Sequence, residues 1–476
     1  MPADSPLEPA ATGLWLPRPW NRVLWFVAAL VIAWQVYLGI SNSWRGPHTK
    51  ADHVSDFAAF YAAGTLALHG ENIYDYRKSG LSRRPYLYPP TFAVMVMLPL
   101  ALLPYNAAVV VFSLLNALLL LGTLYFLRRA LWSESRAGPA FGAGDERFEW
   151  KRFLAHPDSG LLLAAVVSFR FIHGNARMGN VNMFLAFLLA LSFWLLAVNK
   201  TKGREFLSGG CIALATAFKV TPGLFGLYLL WSRRAYGMLA GALGLVLLLL
   251  LIPALALGWQ GNLDRLKEYS GHLTSAVTGE NVAEDAIGHE RADQKQTEGG
   301  LSIRGTLMRY FTYKPMKYTD KSGNVTHYGV NFLTLPEADA RNIVRVFEGL
   351  LLGLTIFLTA GSIARNERRG LALSFGLLTL AMLLLSPLTR KANLCALLIP
   401  CGAMIALVQQ GWIAGRDRTL CIVALAAMCL SGLFFSVDLL GAFYAEWITH
   451  AGMGLYTLLL LYAANAKALW RLRKVK

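Results

Sequence analysis

The stretch NAAVVVFSLLNALLLLGTLYF (residues 106–126) contains no charged residue. A helix needs about 20 apolar residues to cross the hydrocarbon core of a bilayer, and this stretch meets that length. The 476-residue chain is 55% apolar and 15% charged, whereas soluble domains carry about 25% charged residues. Comparable apolar runs lie at 24–40, 181–198, 238–257, 344–364 and 420–435. We therefore expect an all-α integral membrane protein.

The apolar segments predict about 12 transmembrane helices, with both termini in the cytoplasm. They are expected at about 23–41, 105–127, 158–172, 181–198, 206–218, 221–231, 236–257, 341–363, 371–386, 393–409, 418–436 and 446–466. The segments 158–172, 206–218 and 371–386 are short for a crossing. Arg170 and Lys219 lie at the ends of two of them, and a cation at the bilayer centre costs about 3 kcal/mol. These two side chains should therefore face a cavity, an interface or a partner charge.

The net charge of +17 follows this topology and does not indicate a nucleic-acid partner. Lys and Arg concentrate in the segments expected on the cytoplasmic side, which are 128–152, 200–204, 233–234, 365–369, 416–418 and 471–476. This is the positive-inside bias of membrane proteins. Arg18 and Arg22 precede an apolar run that is longer than the core of a signal peptide, so we expect an uncleaved signal anchor.

The chain is expected to form one membrane domain, 1–476, with large outer loops at 42–104 and 259–340. The first of these loops departs from the charge rule, because it has cations at positions 45, 50, 77, 78, 83 and 84. Basic residues beside a membrane suggest contact with phosphate, either from lipid headgroups or from a lipid-linked substrate.

No pattern in the chain indicates a metal or cofactor. The five cysteines lie in or beside apolar segments without metal-ligand spacing, which indicates small buried side chains. His173, His272 and His327 also lack the spacing of a metal site. There is no Asp-x-Asp motif of the kind that would hold a nucleotide sugar through a metal. We therefore expect chemistry that needs neither a metal nor a cofactor.

The stretch SDFAAFYAAG (55–64) places Asp56 among apolar residues just after the first span. Val54 or Ser55 is expected to begin a helix that Gly70 ends. Apolar residues at helical spacing predict a short amphipathic helix on the membrane surface. An acid in the first turn is stabilised by the helix dipole, so one interpretation of Asp56 is purely structural.

Six short motifs favour a functional role for Asp56 over the purely structural one. They are Asp56 with Phe57 and Tyr61, Gly70 with Tyr74 and Asp75, Tyr88-Pro89-Pro90, Gly179-Asn180-Val181-Asn182, Lys219-Val220-Thr221-Pro222, and Ser386-Pro387. Each is weak alone, but in this order the chain resembles glycosyltransferase family 87, within the multi-span C superfamily that uses lipid-phosphate sugars. The resemblance extends from the first span to about residue 400.

The resemblance implies transfer of a sugar, most often mannose in this family, from a polyprenyl phosphate to a hydroxyl, with inversion. The acceptor hydroxyl loses a proton as it attacks, so Asp56 would be the general base. Negative charge develops on the leaving phosphate, which suits cations. The candidate cations are Lys219, Arg390, Lys391 and Arg309. The candidate substrate-binding residues are Tyr61, Tyr88, Asn180, Asn182, Ser302 and Asp75.

Most of these candidates also have a structural interpretation. Lys219, Arg390 and Lys391 could only mark the outer ends of helices, Asn180 and Asn182 could satisfy a hairpin, and Asp75 could begin a helix or turn.

The chain also departs from the family at two places. Thr389, Arg390, Lys391 and Asn393 stand where members often carry an aromatic residue and paired His. GGLSIRGTLMRY (299–310) keeps a Ser and an Arg but lacks the family's amide pair.

The function expected from these observations is glycosyl transfer at the periplasmic face of a bacterial inner membrane. The expected partners are a polyprenyl-phosphate sugar, a glycan or glycolipid acceptor, and membrane lipids. A carrier or flippase for lipid-linked glycans is the main alternative. It would share the basic outer loop but would need no base at Asp56. An assembly factor without catalysis is a third possibility, and it would tolerate changes at all six motifs.

Overall fold

The computed structural model describes residues 18–44, 55–82, 84–132, 156–198, 201–278, 300–319, 324–361, 367–387, 389–434 and 437–474. The polar amino terminus ahead of the expected signal anchor lies outside the described residues, as does most of the basic loop before residue 156. So do residues 279–299 of the second outer loop. Arg45, Lys50 and Arg83, which contribute to the basic first outer loop, are also outside them.

The described chain is almost entirely helical. The helices before residue 260 are α1 (Arg18–Ser43), α2 (Asp56–Leu68), α3 (Tyr76–Ser79), α4 (Pro90–Ala101), α5 (Tyr105–Leu131), α6 (Pro157–Met178), α7 (Asn182–Val198), α8 (Lys202–Phe218), α9 (Gly223–Trp231), α10 (Ala235–Leu257) and α11 (Trp259–Thr278). Those that follow are α12 (Ile303–Phe311), α13 (Glu337–Thr359), α14 (Arg368–Leu385), α15 (Lys391–Gln409), α16 (Gly415–Phe434), α17 (Val437–His450) and α18 (Met453–Lys474).

In the ranges that the structure describes, seven helices are long and apolar enough to cross a membrane, and these are α5, α6, α10, α13, α14, α15 and α16. The bent pair Phe443–His450 and Met453–Lys474, with an angle of 51° between its halves, would make eight. The other expected crossings fall on α1, α7, α8 and α9, and α9 has only nine residues. The membrane-protein fold is confirmed, while the count of about 12 crossings stays a prediction.

Helix α6 differs from the expectation of a short segment followed by a long polar hairpin. It runs for 22 residues, from Pro157 to Met178, and is long enough to cross. The residues HGNARM (173–178), expected in the hairpin, form its last turns. The turn into α7 is therefore confined to Gly179, Asn180 and Val181, which limits how far these residues can move.

Helix α2 begins and ends where the sequence predicts, but it is not amphipathic. Ser55 is its N-cap and accepts a hydrogen bond from the Ala58 N–H. Ten of its 13 residues are buried, on all sides of the helix. The apolar helix α4, expected only as an extended chain re-entering apolar surroundings, covers part of it. Gly64 permits this contact, because a Cβ there would lie 2.6 Å from the Met97 carbonyl oxygen.

The described part of the large loop expected at 259–340 contains regular structure. It contains α11, α12 and an antiparallel pair of strands, β1 (Met316–Thr319) and β2 (Val325–Tyr328), so the described chain is not strictly all-α. Asn72 of the first outer loop donates a hydrogen bond of 3.0 Å to Glu268 of α11. The two large loops, 42–104 and 259–340, are therefore in contact.

Candidate active site

Asp56 occupies the first turn of α2, where it is partly open to solvent. Its side chain is 23% exposed, although the apolar residues that follow it are buried. The Arg84 guanidinium donates to its Oδ1 at 2.9 Å, and the Asn180 side-chain amide donates to its Oδ2 at 2.5 Å. A carboxylate can accept about four hydrogen bonds, so two donors leave room for a substrate hydroxyl.

The turn at Gly179 brings Asn180 to this carboxylate. Gly179 ends α6 in the left-handed conformation, with φ +61°, which glycine adopts without strain. A Cβ at this position would lie only 2.8 Å from the Cβ of Phe57, the neighbour of Asp56. Glycine therefore serves both the turn and the close approach of the two helices.

Asn182 connects this turn to two more distant parts of the chain. Its side-chain amide nitrogen donates to the Asn180 Oδ1 at 2.6 Å and to the Asn393 Oδ1 at 3.0 Å. The Lys219 ammonium donates to the Asn182 Oδ1 at 3.0 Å. Four of the residues singled out in the sequence, Asp56, Asn180, Asn182 and Lys219, thus form one continuous hydrogen-bonded cluster.

Lys219 lies at the break between α8 and α9. It is the C-cap of α8, with extended backbone, and its ammonium lies 5.6 Å from the ring centroid of Tyr88. Burial, with a smaller contribution from the nearby Arg390, lowers the pKa of Lys219 to about 8, although Asp56 and Cys395 oppose this shift. The Lys219 charge is therefore held in surroundings that disfavour it.

Arg390 and Tyr88 complete the cluster around Asp56. The exposed Arg390 interacts electrostatically with Asp56, Arg84 and Tyr88. The Tyr88 hydroxyl interacts electrostatically with the Asn180 side chain, and burial raises the pKa of Tyr88. Beside Lys219 there is a small cavity, whose polar lining is Asn182, Thr221, Ser386, Thr389 and Asn393. Carboxylate, cations and a polar recess therefore adjoin one another.

Tyr61, Asp75 and Ser302 are engaged elsewhere. The Tyr61 hydroxyl donates to the Leu103 carbonyl at 2.8 Å, which joins α2 to the end of α4. Asp75 is the N-cap of α3 and accepts from the Lys78 N–H, in agreement with the helix-start interpretation. Ser302 is the buried N-cap of α12 and accepts from the Gly305 N–H. These contacts hold local structure, and the substrate-binding roles of the three residues stay predictions.

Arg309 and Lys391 are not brought to Asp56 either. The Arg309 guanidinium donates to the backbone carbonyls of His450 and Gly300, both at 3.0 Å, and its side chain is buried. Lys391 follows Arg390 directly, but its charged neighbours are Arg170 and Glu446. The cations expected to converge on one phosphate therefore separate into two that adjoin Asp56, Lys219 and Arg390, and two that do not.

Arg84 and Asn393 join the cluster without having been selected as site residues. Arg84 belongs to the basic first outer loop, and Asn393 to the stretch where the chain departs from the family pattern. Asn393 is separated from Asn182 by 211 positions, so no local spacing could have linked them. The sequence offered only indirect evidence for them, since both are polar residues within a few positions of a recognised motif.

A metal site is not apparent in the described part of the chain, where no group of three or more His, Cys, Asp or Glu could hold an ion. The metal-independent chemistry expected from the sequence stays a prediction. The cluster itself can bind an anion through Lys219 and Arg390 and can accept a proton at Asp56.

Comparison with known proteins gives one informative match. The model of glycosyltransferase family 87 matches residues 86–387. No curated protein matches the chain. Among solved structures, ArnT from Cupriavidus metallidurans bound to undecaprenyl phosphate is similar at 13% identity with a TM-score of 0.37, over 96% of this chain and 78% of that one. The family match covers more than half of the 476 residues, and the chain therefore belongs to glycosyltransferase family 87.

Proposed function

We propose that this glycosyltransferase takes its sugar from a polyprenyl phosphate and transfers it, with inversion, to a hydroxyl of a glycan or glycolipid. The donor sugar is mannose, as the family resemblance implies. The reaction occurs at the outer face of a bacterial inner membrane, because the prenyl tail stays in the bilayer and the two large outer loops carry the polar residues.

The observation that carries this proposal is the pairing of an accessible carboxylate with nearby cations. Asp56 is 23% exposed and is joined to Lys219 through Asn180 and Asn182. In the reaction, Asp56 accepts the proton of the acceptor hydroxyl while the hydroxyl oxygen bonds to the anomeric carbon. The bond between that carbon and the phosphate oxygen breaks, and prenyl phosphate leaves with the bonding electrons. A single displacement of this kind inverts the anomeric configuration.

Lys219 and Arg390 supply the second electrostatic requirement. The leaving phosphate gains negative charge as its bond to carbon breaks, and cations placed beforehand stabilise that charge. Both side chains interact with Asp56 electrostatically, so a phosphate beside them would lie near the proton acceptor. This arrangement supports transfer over simple carriage of a lipid-linked glycan, which would not need a base at Asp56.

The proposal is tested with the purified protein in liposomes, synthetic polyprenyl-phosphate mannose and a panel of glycan and glycolipid acceptors. We expect transfer that continues in the presence of a chelator, and a product whose anomeric configuration is opposite to that of the donor. Transfer from GDP-mannose without any prenyl phosphate would contradict the lipid-linked donor. Movement of intact lipid-linked glycan across the bilayer, without transfer, would favour the carrier.

The proposed side of the membrane is tested by labelling single cysteines in a variant without the five native cysteines. A cysteine at Ser79 or Ser270 should react with an impermeant thiol reagent in intact spheroplasts, because both lie in the outer loops. A cysteine at the exposed Lys202, in a segment expected in the cytoplasm, should not react. The reverse pattern would place the site on the cytoplasmic side.

A further inference from the structure

Two asparagine side chains, Asn182 and Asn180, form a directional connection between Lys219 and Asp56, and a third, Asn393, contacts it from the side. Lys219 donates to Asn182, Asn182 donates to Asn180, and Asn180 donates to Asp56, at 3.0, 2.6 and 2.5 Å. Asn393 receives the second N–H of Asn182 at 3.0 Å. Every hydrogen bond along this path has its donor on the Lys219 side and its acceptor on the Asp56 side.

The Asn182 amide can point only one way in this arrangement. An asparagine amide has two N–H donors and one accepting oxygen. The ammonium of Lys219 only donates, so the Asn182 oxygen must face it. Both N–H groups of Asn182 are then directed to the oxygens of Asn180 and Asn393. Without Asn393, the second N–H would lose this partner and the amide would be freer to rotate.

The orientation of Asn180 follows from that of Asn182. Its oxygen accepts from the Asn182 side chain and from the Asn182 backbone N–H at 3.3 Å. Its N–H groups are therefore directed away, toward the Asp56 carboxylate. A reversed Asn180 amide would set its oxygen against the carboxylate, which accepts only. The direction set at Asn182 is thus transmitted to the proton acceptor.

The connection keeps the cation and the carboxylate from neutralising each other. In the described structure the ion pair of Asp56 is with Arg84, at 2.9 Å, rather than with Lys219. Lys219 is held instead by a neutral amide oxygen, which satisfies a hydrogen bond without supplying a negative charge. A partly buried cation without a full counter-charge is costly, and the arrival of a phosphate would remove that cost.

We propose that Asn393 is a positioning residue for glycosyl transfer, which anchors Asn182 so that Lys219 stays charged and separate from Asp56 until the donor phosphate binds. This role rests on the proposed function. Asn393 is buried near the start of α15, and its backbone N–H donates to the Arg390 carbonyl at 2.9 Å. The same residue therefore ties the loop that carries Arg390 to the turn that carries Asn180 and Asn182.

Three variants test this role, Asn393→Leu, Asn393→Asp and Asn182→Asp. Asn393→Leu removes the acceptor, and loss of one hydrogen bond between neutral groups should lower kcat about 2- to 12-fold. Asn393→Asp keeps the shape and the accepting oxygen, so it should retain more of the wild-type kcat than Asn393→Leu. Asn182→Asp puts a carboxylate against Lys219, which should weaken binding of undecaprenyl phosphate and move its alkaline loss to higher pH.

A change in pH dependence separates positioning from a merely structural effect. A control of the same kind is Asn465→Leu in α18, a buried asparagine whose side-chain atoms have no hydrogen-bond partner in the described structure. Asn465→Leu should bind undecaprenyl phosphate and turn over as the wild type does. Binding is measured by the rise in melting temperature with added undecaprenyl phosphate at pH 7 to 9.5, and transfer by donor kinetics.

The outcomes that overturn the role differ from those that overturn the proposed function. If wild-type protein does not bind undecaprenyl phosphate or use a polyprenyl-phosphate sugar, the lipid-linked donor is wrong, and the role of Asn393 is wrong with it. If the wild type binds and turns over, but Asn393→Leu matches it in kcat and donor KM, Asn393 has no positioning role. An unchanged alkaline loss of binding in Asn182→Asp would contradict the separation of charges.

Discussion

Lys219 and Arg309 have the same predicted role, but the structure gives them different kinds of hydrogen-bond partner. Lys219 follows an apolar segment and Arg309 lies in the second large loop, and both were expected to bind the donor phosphate. Arg309 donates to two backbone carbonyls and to the Thr306 hydroxyl, at 3.0, 3.0 and 3.2 Å. Lys219 donates to the Asn182 side-chain oxygen and lies over the Tyr88 ring.

The difference shows how a buried cation can be assigned to structure or to chemistry. Backbone carbonyls cannot move away without unfolding the segments that carry them, so Arg309 holds Gly300 and His450 together permanently. Lys219 instead donates to a side-chain amide and lines a small cavity. A cation placed like Lys219 is available to an anionic ligand. Four predictions test this contrast, ordered by the size of their expected effect on transfer.

The largest effect is expected at the carboxylate to which the Lys219 network leads. Asp56→Asn keeps the size of the side chain and its place in the first turn of α2, but it cannot take the proton. General-base contributions are about 10²–10⁴-fold, so kcat should fall by that factor. The measurement is steady-state transfer by purified protein, with melting temperature as the control for folding. Near-normal turnover in a folded variant would exclude Asp56 as the base.

Neutralising Lys219 should produce the next largest effect. Lys219→Gln removes a charge-assisted hydrogen bond to the phosphate, which is worth about 1.5–3 kcal/mol, or roughly 10- to 150-fold. The loss should appear in the donor KM and in donor kcat/KM, while the acceptor KM changes little. Donor and acceptor titrations of the same preparation separate the two. An equal rise in the donor KM and the acceptor KM would argue against a site dedicated to phosphate.

The pH dependence of donor use should reveal the titration of Lys219. Burial lowers its pKa to about 8, so its positive charge is present below pH 8 and is lost as the pH rises through that value. Since each further pH unit reduces the charged fraction tenfold, donor KM should rise about tenfold per unit above pH 8. In Lys219→Arg, whose guanidinium stays charged, this rise should disappear. If it persists, another group is responsible, with Cys395 and Tyr88 the titratable neighbours.

Arg309 should give the smallest effect on transfer and a clear effect on stability. Arg309→Met removes the hydrogen bonds to Gly300, His450 and Thr306 and leaves buried carbonyl oxygens without their donor, at about 1–3 kcal/mol for each unsatisfied group. The melting temperature should fall by several degrees, while donor KM of the folded enzyme stays close to that of the wild type. A selective rise in donor KM without loss of stability would restore Arg309 to the phosphate site.

Much of the fold could be predicted because hydropathy is a local property of the chain. The apolar segment at 106–126 lies within α5, and each of the other expected segments overlaps a helix. The start of α2 at Ser55 and its end before Gly70 were likewise readable, since capping depends on neighbours in sequence. The burial of α2 on all sides could not be predicted from the sequence, because it depends on α4, which was not expected to be a helix.

The sequence by itself determined the class of protein and selected six members of the candidate site, which are Asp56, Tyr88, Asn180, Asn182, Lys219 and Arg390. Only the tertiary structure decided their partners. Arg84 and Asn393 reach them from other segments, and Arg309 is directed elsewhere. The physical reason is that a hydrogen bond needs donor and acceptor within about 3 Å in a defined orientation. Chain separation says nothing about such contacts, and Asn182 finds Asn393 across 211 positions.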